Sequence, residues 1–550
     1  MTSPASTDNH SDRLERGLGW ILGSLSVVWL LGWLPQYLTW PWWIDLDTYA
    51  WLAQAWSAGT VPYRDVRVFN FPGQIYLFLG LGWGFGWGHT ASIYALDCAL
   101  LLSLIFLILS WSRNRLGSRL SGWFATVSLL AYYLNQPYHL VAQRDWQAAL
   151  FAAAALLIIQ RGHGRPGALL ASAAVMAVAF TIRPHVVLLL PPIGLALWLE
   201  APARSSVRPP HPIKPFLIWS IGFGASVFVA FLPLIVFGLI DDLINAIRTV
   251  SYGTRYAGLA RPGLLQSLLL QNGLDPSLMS WRSTREILRT LDLGKLGLLF
   301  ILNGVWLART RNQPLRILAG PWVLALGIAF LYEPVHPIRH AYLAHPLRVF
   351  WTLNLAVFVA AIRSLPVQPQ SARRWSLGLL ALVMALLPGW PRFWSPARST
   401  EAWKDLAKNE LPARVPLGAQ TYFAPGDTRS PYRWEEYRQT INYLRTKTSQ
   451  STLVANLLRN FPFPAINGPA GRISPLTAEG AVPYLYTINP EIEPEFAKAL
   501  TNAPPGTVVV WDPEQPSFTP FLELPTIRQV MSQQYRQEQR FGVIEIWRKR

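Results

Sequence analysis

Cysteine is almost absent from this chain, and charged residues are scarce. The 550 residues include a single cysteine, Cys98, which lies inside an apolar run. One cysteine excludes an intrachain disulfide and a metal site built from cysteines. Charged residues make up only 14% of the chain and hydrophobic residues 51%, which is too apolar for an ordinary soluble protein of this length. These deficits indicate a polytopic membrane protein without cysteine-based redox chemistry.

Acidic residues are outnumbered by basic ones. The chain has 48 lysines and arginines against 30 aspartates and glutamates, a formal net charge of +18. In a soluble protein this excess would suggest nucleic-acid binding. Here the basic residues fall in short clusters between apolar runs, many of them near the roughly 20 residues that cross a bilayer. The positive-inside rule accounts for such clusters as cytoplasmic loops, so we expect no nucleic-acid partner.

The apolar runs and basic clusters together predict about eleven spans. Arg13 and Arg16 precede the first run, Gly17 to Leu38, which no small-residue cleavage site follows. We interpret this run as an uncleaved span with a cytoplasmic N-terminus. The glycine-rich segment Gln74 to Trp87 is too short to cross and is interpreted as interfacial or re-entrant. If it crossed, every later basic cluster would face outward, against the positive-inside rule.

The predicted fold is mainly α, a transmembrane helical bundle followed by a small α/β extracytoplasmic domain. Residues 1–16 are the cytoplasmic N-terminus and residues 17–389 the membrane domain, with a first outer loop at 39–90 and another outer loop at 241–294. Residues 390–550, the C-terminal region, have a soluble composition. Within it, periodicity predicts a helix and three strands at Trp434 to Thr446, Thr452 to Leu458, Thr507 to Trp511 and Gly542 to Trp547.

Two carboxylates begin the first outer loop. Asp45 and Asp47 lie just beyond the first apolar run. An acid beside a membrane loses part of its hydration, so it is retained where it pairs, binds a metal or handles protons. Positions two apart on a helix diverge by about 200°, so only one of the two can face a given site. One of the two, Asp45 or Asp47, is a candidate general base, and the alternative for Asp47 is the N-cap of the following helix.

A third acid, Asp145, lies at the start of the fourth predicted span, on the same side of the membrane. It also suits a helix N-terminus, where the helix dipole favours negative charge. The alternative is functional, because Asp45 and Asp145 together can hold a divalent ion or divide the base and orienting roles. His340, in a later outer loop, is a further candidate ligand of such a metal.

Arginines at the outer ends of spans are candidate phosphate ligands. Arg183 lies between the fifth and sixth predicted spans, and Arg339 precedes the tenth. A guanidinium presents a planar fork that suits phosphate oxygens, whereas snorkelling to lipid headgroups is the alternative. Asp97, the one acid predicted within a span, needs a partner in lipid. We expect Arg144 or Arg183 to provide it.

The first outer loop resembles that of the GT-C superfamily of membrane glycosyltransferases. The similarity is greatest to a bacterial branch related to protein O-mannosyltransferases and lipid A aminoarabinose transferases, and it extends over about residues 17–388. Asp45 and Asp145 match the two acids of that family's outer loops. The residues that carry the resemblance are Asp45-Leu46-Asp47-Thr48-Tyr49, Pro62-Tyr63-Arg64-Asp65 and Phe71-Pro72-Gly73.

Two departures from the family pattern leave assignments open. The acidic pair of that loop is often adjacent, whereas Leu46 separates the two acids here. Relatives often carry Lys-Pro-Pro where this chain has Asn70-Phe71-Pro72. The basic phosphate ligand is therefore missing from its usual place, and Arg64, Arg183 or Arg339 would have to replace it.

The resemblance implies inverting sugar transfer at the outer face of the bacterial cytoplasmic membrane. The donor would be a polyprenyl-phosphate sugar, and the acceptor a hydroxyl of an unidentified glycan, lipid or protein. Asp45 would take the acceptor proton during attack on the anomeric carbon. Membrane lipids are further partners, a divalent metal ion is an optional cofactor, and no nucleotide or organic cofactor is required, consistent with the absence of a P-loop from the sequence.

Two other classes of function remain open. One is a transporter or flippase for lipid-linked glycans, which would place polar residues near the membrane midplane and show a repeat between its halves. The polar residues here gather instead at the predicted outer ends of spans, which favours chemistry at the membrane surface. The other is a catalytically degenerate envelope-assembly protein, consistent with the missing lysine.

Overall fold

The computed structural model describes most of the chain. The described residues are 8–68, 70–200, 213–256, 284–332, 341–364, 392–408, 410–423, 432–458, 465–477, 492–513 and 524–550, with five further residues between 378 and 385. Within them the chain is mainly helical and carries one four-stranded sheet near its C-terminus. The predicted mainly-α architecture with a small sheet is confirmed.

Long apolar helices dominate the first 364 residues. Five helices in the described ranges are long and apolar enough to cross a membrane, namely Glu15–Leu38, Ala91–Leu116, Ile213–Val236, Gln313–Tyr332 and His345–Ser364. Shorter apolar helices are Pro166–Ile182, Pro184–Glu200 and Leu296–Arg309. The total of eleven spans stays a prediction, and the last of them, Trp375 to Leu387, lies mostly outside the described residues.

Helices follow one another with short connections before the C-terminal region. In chain order they are α1 (Asp8–Leu38), α2 (Ile44–Ser57), α3 (Gly73–Phe85), α4 (Ala91–Trp111), α5 (Arg119–Tyr133), α6 (Arg144–Gly162), α7 (Pro166–Ile182), α8 (Leu190–Glu200), α9 (Ile213–Val236), α10 (Ile240–Tyr256), α11 (Thr284–Arg309), α12 (Gln313–Tyr332) and α13 (His345–Ser364). A single π-helical turn, Ser112–Leu116, extends α4, and a 3₁₀ helix, Pro184–Leu189, leads into α8.

The short helix α3 lies within residues 39–90, the predicted first outer loop. Its 13 residues span about 20 Å at 1.5 Å per residue, which is less than the hydrocarbon thickness of about 30 Å. Gly86, with φ +87°, follows its last residue. The length agrees with an interfacial or re-entrant segment, and the position of α3 in the bilayer stays a prediction.

The pairing of α6 with α7 places the candidate site. Only three residues, 163–165, separate the two helices, and they pack against each other. So short a connection makes them antiparallel neighbours. The start of α6 is therefore level with the end of α7, which is where two of the candidate site residues lie.

The C-terminal region contains helices α14 (Pro396–Lys408), α15 (Trp434–Lys447), α16 (Ile492–Asn502) and α17 (Pro525–Gln534), with strands β1 (Val454–Leu457), β2 (Val508–Trp511), β3 (Tyr535–Phe541) and β4 (Ile544–Lys549). The sheet order is β1-β2-β4-β3, with β1 and β2 parallel and the other pairs antiparallel. β1 and β2 are buried along their whole length. The predicted helix and three strands are confirmed as α15, β1, β2 and β4, whereas β3 was not predicted.

Candidate active site

The Asp145 carboxylate is enclosed in an ionic cluster at the ends of three helices. It lies in the first turn of α6 and is fully buried. Its Oδ1 accepts hydrogen bonds from Arg183 Nε at 2.7 Å and from the Tyr332 hydroxyl at 3.1 Å. Arg144 Nε lies 3.9 Å from Oδ2. Gln143 holds the N-cap position without a side-chain cap, so the carboxylate serves the ion pair rather than a cap.

Local sequence explains why Arg183 leaves the helix to meet Asp145. Arg183 precedes Pro184, and a residue before proline is driven out of the α region into extended backbone. Its φ and ψ are −146° and 102°, at the C-cap of α7. The Arg183 side chain is 7% exposed and that of Asp145 0%. In so dry a setting each charge is tolerated because the other balances it.

A second arginine joins the first outer loop to this cluster. Arg144 Nη1 donates to the Tyr49 hydroxyl at 2.6 Å and also to Asn70 Oδ1. Tyr49 belongs to α2, the helix that carries Asp45. The structure thus brings α2 against the start of α6, where Asp145 lies.

The structure distinguishes between the two acids of the first outer loop. α2 begins at Ile44, and its N-cap is Trp43, so the N-cap interpretation of Asp47 is wrong. Asp47 is buried and accepts backbone N–H groups from Ile466 at 3.0 Å and Asn467 at 3.3 Å, and a further one from Gly468. Burial raises the pKa of Asp47 to about 6, although these three hydrogen bonds act to lower it.

Asp45 has a different environment. It is partly exposed in the first turn of α2. Across the described ranges, its carboxylate makes neither a hydrogen bond nor an ion pair. Of the two acids, Asp45 is therefore the one whose oxygens are available to a ligand.

The predicted phosphate-binding arginines occupy separate places. Arg183 lies in the Asp145 cluster. Arg64 is exposed and donates to the carbonyls of Phe237 at 3.2 Å and Gly238 at 3.1 Å, and its Nε lies 3.4 Å from Asp242. These contacts tie Arg64 to the turn between α9 and α10. Arg339 lies outside the described residues.

A metal site is not evident in the part of the chain that the structure describes. No group of three histidine, cysteine, aspartate or glutamate side chains there could hold an ion. Asp145 faces a guanidinium and a phenol, which do not suit a divalent cation, since such ions prefer several oxygen ligands. His340 is outside the described residues, so the metal site of Asp45, Asp145 and His340 stays a prediction.

The expected partner of Asp97 was wrong. Its Oδ2 accepts from the hydroxyls of Tyr37, at 2.7 Å, and Tyr133, while both arginines proposed for it lie in the Asp145 cluster. The partners of this buried acid are therefore two phenols, which both donate to Oδ2, rather than a cation. Sequence reasoning also missed Tyr332, because a tyrosine at the end of an apolar run is common at membrane interfaces.

Taken with its apolar helices, this arrangement defines the class of fold, a polytopic helical membrane protein with an appended sheet. Two solved structures share that fold. The crystal structure of ArnT from Cupriavidus metallidurans bound to undecaprenyl phosphate has a TM-score of 0.55 and 13% identity, covering 96% of this chain and 98% of that one. ArnT from the same organism in the apo state has a TM-score of 0.53 and 14% identity, covering 97% and 98%.

The resemblance to lipid A aminoarabinose transferases predicts this fold, and the likeness to the two ArnT structures bears that prediction out. The likeness takes in the C-terminal region as well as residues 17–388, the extent of the resemblance described from the sequence. No family model matches the sequence, and no curated protein gives a significant match.

Proposed function

We propose that the protein is an integral membrane glycosyltransferase that moves a sugar from a polyprenyl-phosphate donor to an extracytoplasmic hydroxyl group. The observation that carries this proposal is the nearly full-length likeness to ArnT, a protein that was crystallised with undecaprenyl phosphate. The shared fold supports a polyprenyl-linked donor here. The acceptor is a glycan, lipid or protein of the cell envelope.

Asp45 is the general base of the proposed reaction. A base must present a free lone pair to the acceptor hydroxyl, and the Asp45 carboxylate has no partner among the described residues. Asp47 is unsuited to the role because three backbone N–H groups already occupy its oxygens. Asp45 takes the acceptor proton as the hydroxyl oxygen attacks the anomeric carbon and the bond to phosphate breaks. Base assistance of this kind contributes about 10² to 10⁴ in rate.

The arginines stabilise the departing phosphate. Within the described residues, two guanidiniums, Arg144 and Arg183, flank the single carboxylate of Asp145. This local excess of positive charge favours an anionic leaving group in a water-poor site. Asp145 orients Arg183 through the 2.7 Å hydrogen bond, and Arg64 and Arg339 remain further candidates for the donor phosphate.

The proposal is tested by sugar transfer in purified protein. The probes are undecaprenyl-phosphate sugars with a radiolabelled hexose or pentose, added with an envelope extract as acceptor. We expect Asp45→Asn to lower the rate at least about 100-fold without changing the melting temperature. The matched control is Asp65→Asn, an exposed acid in the same loop whose carboxylate accepts a hydrogen bond from Val61 N, and it should retain transfer.

Two results would reject the proposal. If Asp45→Asn transfers sugar at the wild-type rate, Asp45 is not the general base. Absence of transfer by the wild-type protein, combined with movement of lipid-linked sugar across vesicle membranes, would identify a transporter.

A further inference from the structure

The first outer loop and the C-terminal region meet along a tight seam. The seam is centred on Asp47, which accepts the backbone N–H groups of residues 466–468. Those groups come from the residue before the one-turn helix Asn467–Ala470 and from its first two residues. Asp47 is 4% exposed, so this contact is fully withdrawn from water. The other contacts of the seam join Gln54, Arg67 and Gly88 of the loop to Gly471, Glu495 and Arg445 of the C-terminal region.

Further hydrogen bonds follow the seam on either side of Asp47. Gln54, also on α2, donates to the Gly471 carbonyl at 3.1 Å. Arg445 of α15 donates to the Gly88 carbonyl at 2.8 Å. At the edge, Arg67 forms an exposed ion pair with Glu495 at 2.6 Å. The C-terminal region thus contacts the loop both at the helix α2 and at residues outside its helices.

Glycine permits the two backbones to approach this closely. A Cβ added to Gly468 would lie 2.6 Å from the Trp42 ring and 2.9 Å from Asp47 Oδ1. A Cβ on Gly471, which has φ +65°, would lie 3.0 Å from the Trp87 carbonyl oxygen. A side chain at either position would push the two backbones apart, so their close contact requires glycine at 468 and at 471.

The seam bears on Asp45 because both acids belong to the first turn of α2. Side chains two residues apart on a helix diverge by about 200°, so fixing Asp47 on one face directs Asp45 to a nearly opposite face. On its other side α2 is held by the hydrogen bond between Tyr49 and Arg144. The rotation of α2 is therefore set by the C-terminal region and by α6 together.

We propose that Asp47 is a positioning residue, which by accepting the amides of residues 466–468 fixes the rotation of α2 and so the direction of the Asp45 carboxylate. The C-terminal region is then part of the catalytic unit rather than an appendage. The catalytic half of this inference rests on the proposed function, and the anchoring half does not.

Four proteins test the catalytic half: wild type, Asp47→Asn, Asp45→Asn and the double variant. An asparagine at 47 keeps the size of the side chain but turns an NH₂ group toward backbone N–H donors. A small displacement of a reacting group lowers turnover by up to about 100-fold, so we expect Asp47→Asn to lower kcat about 10- to 100-fold with little change in the KM of the donor. In the Asp45→Asn background the same change should alter turnover less than twofold, because it acts through Asp45.

A purely structural role gives a different pattern. Asp47→Asn would then reduce activity by the same factor in both backgrounds, and this result would overturn the catalytic half. Glu495→Gln is the matched control, because it removes a seam contact that is exposed and does not involve α2. It should leave kcat within about twofold of wild type, and a loss as large as that of Asp47→Asn would also overturn the assignment.

Hydrogen exchange in the full-length protein tests the anchoring half without any assay of activity. We expect Asp47→Asn to accelerate amide exchange at residues 466–468 at least about tenfold, and Gly468→Ala to do the same from the other side of the seam. The control is Gly224→Ala, where an added Cβ meets nothing within 4 Å, and it should leave the exchange rate at residues 466–468 unchanged. If the amides of residues 466–468 exchange at the wild-type rate in both seam variants, the anchoring half of the proposal is refuted. If Asp45→Asn instead retains transfer, Asp45 is not the general base, and the exchange data still test whether Asp47 holds residues 466–468 in place.

Discussion

Removal of the Arg183 guanidinium should destabilise the protein through the acid that it leaves behind. In Arg183→Leu, Asp145 stays in a site where its side chain is 0% exposed and loses a charge-assisted hydrogen bond of 2.7 Å. Breaking a buried pair in this way typically costs about 3–5 kcal/mol. Tyr332 still donates to Oδ1, and Arg144 remains 3.9 Å from Oδ2, so we expect about 3 kcal/mol.

The neutral double replacement separates stability from function. In Arg183→Gln with Asp145→Asn the buried carboxylate and the guanidinium paired with it are removed together, and the cluster keeps the net charge of +1 that it has in the wild type, now on Arg144. Most of the lost stability should therefore return. If the pair serves the donor phosphate, this folded double variant will still lack transfer. The measurements are thermal unfolding in detergent, followed by intrinsic tryptophan fluorescence, and the transfer assay on the same preparations.

The control is an exposed ion pair of the same chemistry. Arg414 and Glu401 lie 3.7 Å apart with side chains 70% and 53% exposed, and such pairs contribute about 0–1 kcal/mol. Arg414→Leu should therefore melt close to wild type. If Arg183→Leu melts as close to wild type as this control does, the reasoning from burial is refuted.

Three further predictions follow from the site and its surroundings. The pKa of Asp47 is raised by burial from 3.8 to about 6, so its protonation stabilises the folded state below pH 3.8, and this contribution, worth about 3 kcal/mol, is lost as the pH rises through 6. Between pH 4 and 7 the melting temperature of wild type should accordingly fall relative to that of Asp47→Asn. If the two melting temperatures change with pH in parallel, the pKa of Asp47 is not raised in the folded state. Tyr332→Phe removes one hydrogen bond to a buried carboxylate and should cost about 1.5–3 kcal/mol in unfolding experiments, with a phenylalanine variant of an exposed tyrosine as control. Asp65→Cys should react with a membrane-impermeant maleimide in intact cells and Arg113→Cys only after lysis, because the two positions are predicted on opposite sides of the membrane; the reverse pattern would invert the topology.

Sequence reasoning succeeded where local pattern determines structure. The alternation of apolar and basic segments predicted a helical membrane protein, and the runs at Trp434 and Thr507 correctly placed a helix and a strand. It also placed Asp145 at the start of one span and Arg183 just after the next, two ends that the three-residue turn at 163–165 brings together, but it expected Arg183 as a partner of Asp97 rather than of Asp145. These features depend on residues close to one another along the chain.

The failures have physical causes. β3 reads Tyr-Arg-Gln-Glu-Gln-Arg-Phe, and its polar residues are depleted in strands generally but protect a sheet edge from further pairing. Asp97 found its donors in Tyr37 and Tyr133, which nothing in the sequence distinguishes from tyrosines of the membrane interface. Asp47 contacts an amide 419 residues away, a separation at which no local pattern carries information.

That separation has a consequence for how the protein matures. The backbone amides that hold Asp47 are synthesised more than 400 residues after the helix that bears Asp45. Contacts of such long range form late, after the intervening chain has been inserted and folded. A nascent or prematurely terminated polypeptide that lacks residues 466–468 would thus carry its candidate base without the contacts that we propose fix its orientation.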